Sequence, residues 1–127
     1  MTNWTRNDLE RIGAAEELQL ATVKQDGTLR KPVTIWVVRA GDDLYVRAYR
    51  GRETAWFQQI QRRPEGRIEA GGVRKDVTLV DASSDEALGN EIDAAYQSKY
   101  HRYSATYVRP MVAPQARATL LKLVPSA

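Results

Sequence analysis

From Leu18 to Ala82 the chain alternates short apolar, β-branched runs with glycine-bearing turns, at Gln25-Asp26-Gly27, Ala40-Gly41-Asp42-Asp43 and Gly71-Gly72. Asp-Gly between two β-rich runs is the strongest short hairpin signal a sequence carries. "LQLATVKQDGTLRKPVTIWVV" therefore predicts two antiparallel strands joined at Gln25-Asp26-Gly27, the second from about Lys31 to Arg39. A third strand, Leu44 to Tyr49, extends them into a β-meander. "GRIEAGGVRKDVTLVDA" reads as two more strands with Gly71-Gly72 as turn or bulge, and "ARATLLKLV" closes the chain as a last strand.

Helical segments frame these strands. Thr5 is placed to cap a helix, with Asp8 three positions on, and Leu9, Ile12 and Ala15 give it one apolar stripe up to about Glu17. "ETAWFQQIQRR" sets Trp56, Phe57 and Ile60 at helical spacing before Pro64. Ser83 with Glu86 has capping-box spacing, and Leu88, Ile92, Ala95 and Tyr96 line one face of a further amphipathic helix. "HRYSATYVRPMVAPQ" has two prolines and no period, so it reads as a loop.

At 127 residues the chain has the size of one domain with a real core. Its 19 basic and 16 acidic residues are mixed along most of the length, unlike the clustered basic face of a nucleic-acid binder. With no cysteine there is no disulfide, thiolate nucleophile or cysteine zinc site, and a single histidine makes a histidine metal site improbable. The N-terminal "MTNWTRNDLERI" is charged where a signal peptide needs an apolar run, and no segment approaches the length of a membrane span, so the expectation is a soluble cytoplasmic protein.

The third strand and its sequel hold the least ordinary residues. Side chains alternate across a strand, so Leu44, Val46 and Ala48 face a core while Tyr45, Arg47 and Tyr49 face the other way. The second strand divides similarly, Val33, Ile35 and Val37 against Thr34, Trp36 and Val38. A barrel strand with one face inside and the other under a ligand or a partner subunit has this pattern, because large exposed aromatic patches are uncommon on monomers. From Arg47 to Arg67 there are six arginines against two glutamates. Arg50-Gly51-Arg52 directly precedes a helix, where free N–H groups and guanidinium forks suit a phosphate. Pairing of these arginines with Glu53 or Glu65 as plain surface charges accounts for the same spacing.

The order of elements, with "YVRAYRGRETAWFQQIQRRPEGRIEAGG", resembles the FMN-binding split-barrel superfamily of pyridoxamine 5'-phosphate oxidase-like proteins, and most closely domain-of-unknown-function family 2255 within it. The resemblance covers nearly the whole chain. It implies a mainly β protein with α-helices, a six-stranded antiparallel split β-barrel, and a homodimer holding FMN at the subunit interface. It places Thr34, Ile35 and Trp36 along the isoalloxazine ring, and Arg47, Tyr49, Arg50 and the Gly51-Arg52 turn at the phosphate. Trp56 stands where oxidase members usually carry a phosphate-binding lysine. That departure leaves deazaflavin, haem or no cofactor open. The functional expectation is a small flavin-dependent oxidoreductase acting on a small-molecule substrate, the alternatives being a flavin-binding protein without turnover or a dimeric barrel holding another phosphorylated molecule.

Other residues carry weaker signals. His101 lies amid Tyr100, Tyr103 and Tyr107 and is either a proton donor over a flavin edge or a polar residue capping a helix end. Asp76 reads as a strand-edge charge, Asp42-Asp43 as turn chemistry. Gly71-Gly72 lacks the strand–GxGxxG–helix context of a nucleotide fingerprint.

Overall fold

A computed structural model describes residues 3 to 126. Seven antiparallel strands form one sheet: β1 (Leu18–Thr22), β2 (Val33–Ile35), β3 (Val37–Ala40), β4 (Asp43–Val46), β5 (Glu65–Ala70), β6 (Val73–Asp81) and β7 (Leu121–Pro125), in the order β2-β1-β5-β6-β7-β4-β3. The two ends of that order, β2 and β3, are consecutive in sequence and separated only by Trp36. One strand therefore breaks at Trp36 and serves both edges, pairing Leu18 with Ile35 on one side and Val37 with Val46 on the other. This near-closed barrel removes most of the exposed edge that an open sheet would present. The count of seven rather than six arises from this break, which strand periodicity cannot reveal.

The interior is filled as alternation predicts. Leu18 and Leu20 of β1, Val37, Leu44 and Val46, Ile68, Val77 and Leu79, and Leu121 and Leu123 form one buried cluster. Helix α1 (Arg6–Ala14) adds Leu9 and Ile12 to it, and α2 (Ala55–Arg62) adds Trp56, Phe57 and Ile60. Thr5 caps α1 by accepting from the Asp8 N–H, as the spacing implies. Gly71 and Gly72, both at positive φ, make the two-residue turn between paired Ala70 and Val73.

A second cluster lies outside the barrel, where α3 (Glu86–Lys99) covers β3 and β4 with Ile92 and Tyr96 against Val38 and Tyr45. Its cap is Asp85, which accepts from the Leu88 N–H; Ser83 instead donates to Asp81. The stretch after His101, expected as a loop, folds into α4 (Ala105–Val112) and α5 (Pro114–Arg117), and the last strand starts only at Leu121. Pro110 sits in the last turn of α4, where one missing N–H costs a single bond. No helix among the described residues is long and apolar enough to cross a membrane.

Lys99, at the end of α3, is half-buried and donates to the Val37 carbonyl at 2.6 Å. Burial lowers its ammonium from 10.5 to about 8. Between these values the unfolded chain binds a proton that the folded one does not, so stability rises with pH. Tyr96 and Tyr100, whose phenols burial holds above the usual 10.0, reverse the trend at higher pH. Urea unfolding from pH 8 to 10 is expected to show the rise, and Lys99→Met to flatten it.

Candidate functional site

After Val46 the chain leaves β4 but keeps its alternation for one more step, which turns Arg47 away from the barrel interior and under α3. The side chain is fully buried. Its Nη1 donates to Asp93 Oδ1 at 2.6 Å and to the Met111 carbonyl at 2.8 Å, and its Nη2 donates to the Gly89 carbonyl at 3.0 Å. The other Asp93 oxygen pairs with Arg117. Arg117 also lies against Gly89: a Cβ there would stand 2.8 Å from Nη2 of Arg117, whose guanidinium would have to shift. Arg47 thus ties α3 and α4 to the strand, its partner being Asp93 and not Glu53 or Glu65.

Above this anchor opens a cavity of about 620 Å³. One wall is the strand edge, Val33, Thr34, Ile35 and Trp36; the floor is Arg47, Tyr49, Arg50, Thr54 and Trp56; α4 supplies Thr106, Tyr107, Pro110 and Met111. The walls are mostly apolar and aromatic, and among the described residues the only formal charges on them are Arg47 and Arg50. Among the described residues two buried side-chain polar atoms find no hydrogen-bond partner, Arg47 Nε and Thr54 Oγ1, and both belong to residues lining this cavity. Such orphans are rare in folded proteins and call for a partner. Thr54 occupies the N-cap position of α2 without making a side-chain cap bond, so that helix start also offers unsatisfied N–H groups.

Seven of the nine residues expected to contact a cofactor therefore converge: Thr34, Ile35, Trp36, Arg47, Tyr49, Arg50 and Trp56. Gly51 and Arg52 do not line the cavity. Gly51 is a turn residue at φ 87°, facing Gln115. Arg52 donates to the Ala118 carbonyl at 3.2 Å and covers the Phe57 ring. Arg50 instead uses its Nε on the Tyr49 hydroxyl at 2.8 Å, leaving its Nη edge without a protein acceptor among the described residues. Trp56 packs into the barrel core, 7% exposed, and Trp36 stacks one ring face on Tyr100.

Thr54 and the α4 residues are absent from the sequence-based set. Thr54 carries the N-cap signal of α2; nothing in "SATYVRPM" marks a cavity wall, because its role depends on Arg47 holding the Met111 carbonyl from 64 positions away. His101 lies elsewhere, its Nδ1 2.8 Å from the Ser98 carbonyl. It borders a separate depression with Tyr103 and Arg109. Asp76 is paired with Arg67 at 2.7 Å, and that bond lowers its carboxyl below the usual range. No group of three His, Cys, Asp or Glu among the described residues is arranged to hold a metal.

Solved structures share this architecture at low sequence identity. The haem storage protein HutZ of Vibrio cholerae is 14% identical with a TM-score of 0.61, over 96% of this chain and 90% of its own. An FMN-binding protein of Syntrophomonas wolfei is 15% identical with a TM-score of 0.56, over 94% and 86%. A pyridoxamine 5'-phosphate oxidase-related, FMN-binding protein of Nostoc punctiforme is 21% identical with a TM-score of 0.50, over 93% and 76%. The fold is thus that of the pyridoxamine 5'-phosphate oxidase-like split barrels. No curated protein matches the sequence. A family model spans residues 8–123, from the first turn of α1 to the last strand, so that barrel, cavity and the helices around it fall within one family: the chain belongs to DUF2255, described as uncharacterized protein conserved in bacteria.

Proposed function

We propose that the cavity binds FMN and that the chain is a small flavin-dependent oxidoreductase. The carrying observation is one aromatic-walled cavity whose lining includes both residues with a partnerless buried polar atom, Arg47 and Thr54, together with Arg50, whose Nη edge has no protein acceptor among the described residues. A flat ring system suits the walls Ile35, Trp36 and Tyr107, and a phosphate suits Arg50, Thr54 and the start of α2. That one protein of like fold is FMN-binding and another is a haem storage protein supports a flat ligand of cofactor size. The cavity has no histidine, so imidazole-ligated haem lacks a ligand there, and deazaflavin remains the nearer alternative.

When bound, FMN supplies hydride chemistry of its own. The chain's task is to hold the phosphate with Arg50 and Thr54, to fix the ring between the β2 edge and α4, and to exclude water with Pro110 and Met111. Tyr49 and Tyr107 bring phenol hydroxyls to the cavity lining. Titration of the purified protein with FMN, followed in the visible spectrum, tests the binding: perturbed flavin bands and quenched tryptophan fluorescence are expected. Unaltered bands at saturating protein would refute it.

The same reading makes the protein a homodimer. Tyr49 is 48% and Tyr107 65% exposed at the cavity mouth, a pair of aromatics that a partner copy would cover. Sedimentation equilibrium is expected to give twice the chain mass. A monomer at micromolar concentration, with and without FMN, would contradict it.

A further inference from the structure

We propose that Trp36, Tyr100 and Tyr103 form a one-electron relay from the cavity to the protein surface, with Glu16 as the proton acceptor at its outer end. The redox reading of the cavity gives the relay its purpose, while the relay itself is built only from this chain. Trp36 lines the cavity with part of its surface and stacks the rest on Tyr100, the ring centroids 3.9 Å apart and the planes 2° from parallel. Tyr103 stands 5.2 Å from Trp36 and 6.0 Å from Tyr100. The three rings are therefore mutually adjacent, with no saturated gap between the cavity wall and a half-buried residue beside the separate His101 depression.

Proton acceptors decide where an oxidising equivalent comes to rest. A phenol loses its proton when it loses an electron, so a stable phenoxyl needs a base in contact. The Tyr100 hydroxyl donates only to carbonyls, of Glu16 at 2.7 Å and Val37 at 3.2 Å, and these accept hydrogen bonds but not protons at neutral pH. Tyr103 differs. Its hydroxyl donates to Glu16 Oε2 at 2.8 Å, a carboxylate whose other oxygen is held by Arg102.

The transfer balances. A peroxyl-class radical formed at the cavity takes one electron from the Trp36 indole and becomes the peroxide anion. Tyr103 returns one electron to Trp36, directly or through Tyr100. Its O–H bond breaks, and the proton passes to Glu16 Oε2. The products are the reduced oxidant, intact Trp36, a neutral phenoxyl at Tyr103 and protonated Glu16. Oxidising equivalents are thereby drawn away from the cavity walls.

Pulse radiolysis of the purified protein without flavin, using azide radical as the oxidant, tests this directly. Trp36 is half-buried whereas Trp4 and Trp56 are each 7% exposed, so the indolyl radical forms first at Trp36. Its absorption is expected to decay into that of a phenoxyl at a rate independent of protein concentration. Tyr103→Phe should remove most of the phenoxyl. Glu16→Gln retains an acceptor for the hydroxyl but not for its proton, and should slow the conversion about a hundredfold, the low end of what a positioned base contributes. Unchanged kinetics in both variants, each with a native circular dichroism spectrum, would overturn the relay. Failure of FMN to bind would refute the flavin reading and leave these kinetics measurable, so the two fail separately.

Discussion

Asp93→Ala is expected to lower the unfolding free energy by about 3–5 kcal/mol, the usual effect of removing one partner of a buried ion pair. Arg47 is fully buried and cannot be rehydrated in place, so losing the carboxylate leaves an uncompensated charge beneath α3. The two carbonyls of Gly89 and Met111 still accept from it but carry no formal charge. Arg117→Ala should cost far less, because its side chain is 26% exposed and water replaces the partner. Arg47→Met combined with Asp93→Leu should recover much of the loss, since apolar residues of similar volume commonly stand in for a buried pair at no net cost. Urea denaturation of the four proteins decides it. A loss below about 1 kcal/mol for Asp93→Ala would mean that the site is wet and that Arg47 behaves as a surface charge.

This same contact marks the limit of what the sequence carries. The two faces of β2–β3 and β4 are legible because period-two alternation is local: Val33, Ile35 and Val37 do turn to the barrel core, and Trp36 and Val38 to the outer cluster. Of the nine residues that the family resemblance places around a cofactor, seven line one cavity. Pairing is not local. Nothing near Arg47 predicts that its carboxylate partner lies 46 positions on, in α3, or that its third acceptor is a carbonyl of α4. For the same reason "SATYVRPMV" reads as a loop: the helix is stabilised by its packing on α3, which a proline-bearing, weakly periodic segment does not advertise. The break at Trp36 is equally hidden, being set by closure of the barrel and by the Tyr100 ring that Trp36 stacks upon.

Arg50→Ala is expected to weaken FMN binding roughly ten- to a hundredfold while leaving riboflavin affinity nearly unchanged. Arg47 is unsuited to this comparison, because both of its Nη atoms already serve Asp93 and the two carbonyls, and its removal disturbs the fold. Arg50 is exposed, steadied by the Tyr49 hydroxyl through Nε, and lines the cavity as Thr54 does. A charge-assisted bond to phosphate is worth about 1.5–3 kcal/mol, and riboflavin has no phosphate to make it. Thr54→Val removes the partnerless hydroxyl at nearly constant shape and should cost FMN about threefold to tenfold, the scale of one neutral hydrogen bond. Arg52→Ala serves as the control: its guanidinium is spent on the Ala118 carbonyl and the Phe57 ring, so FMN affinity should hold. Equal losses of FMN and riboflavin on Arg50→Ala would assign that arginine to shaping the cavity mouth through Tyr49, and would move the phosphate away from the start of α2.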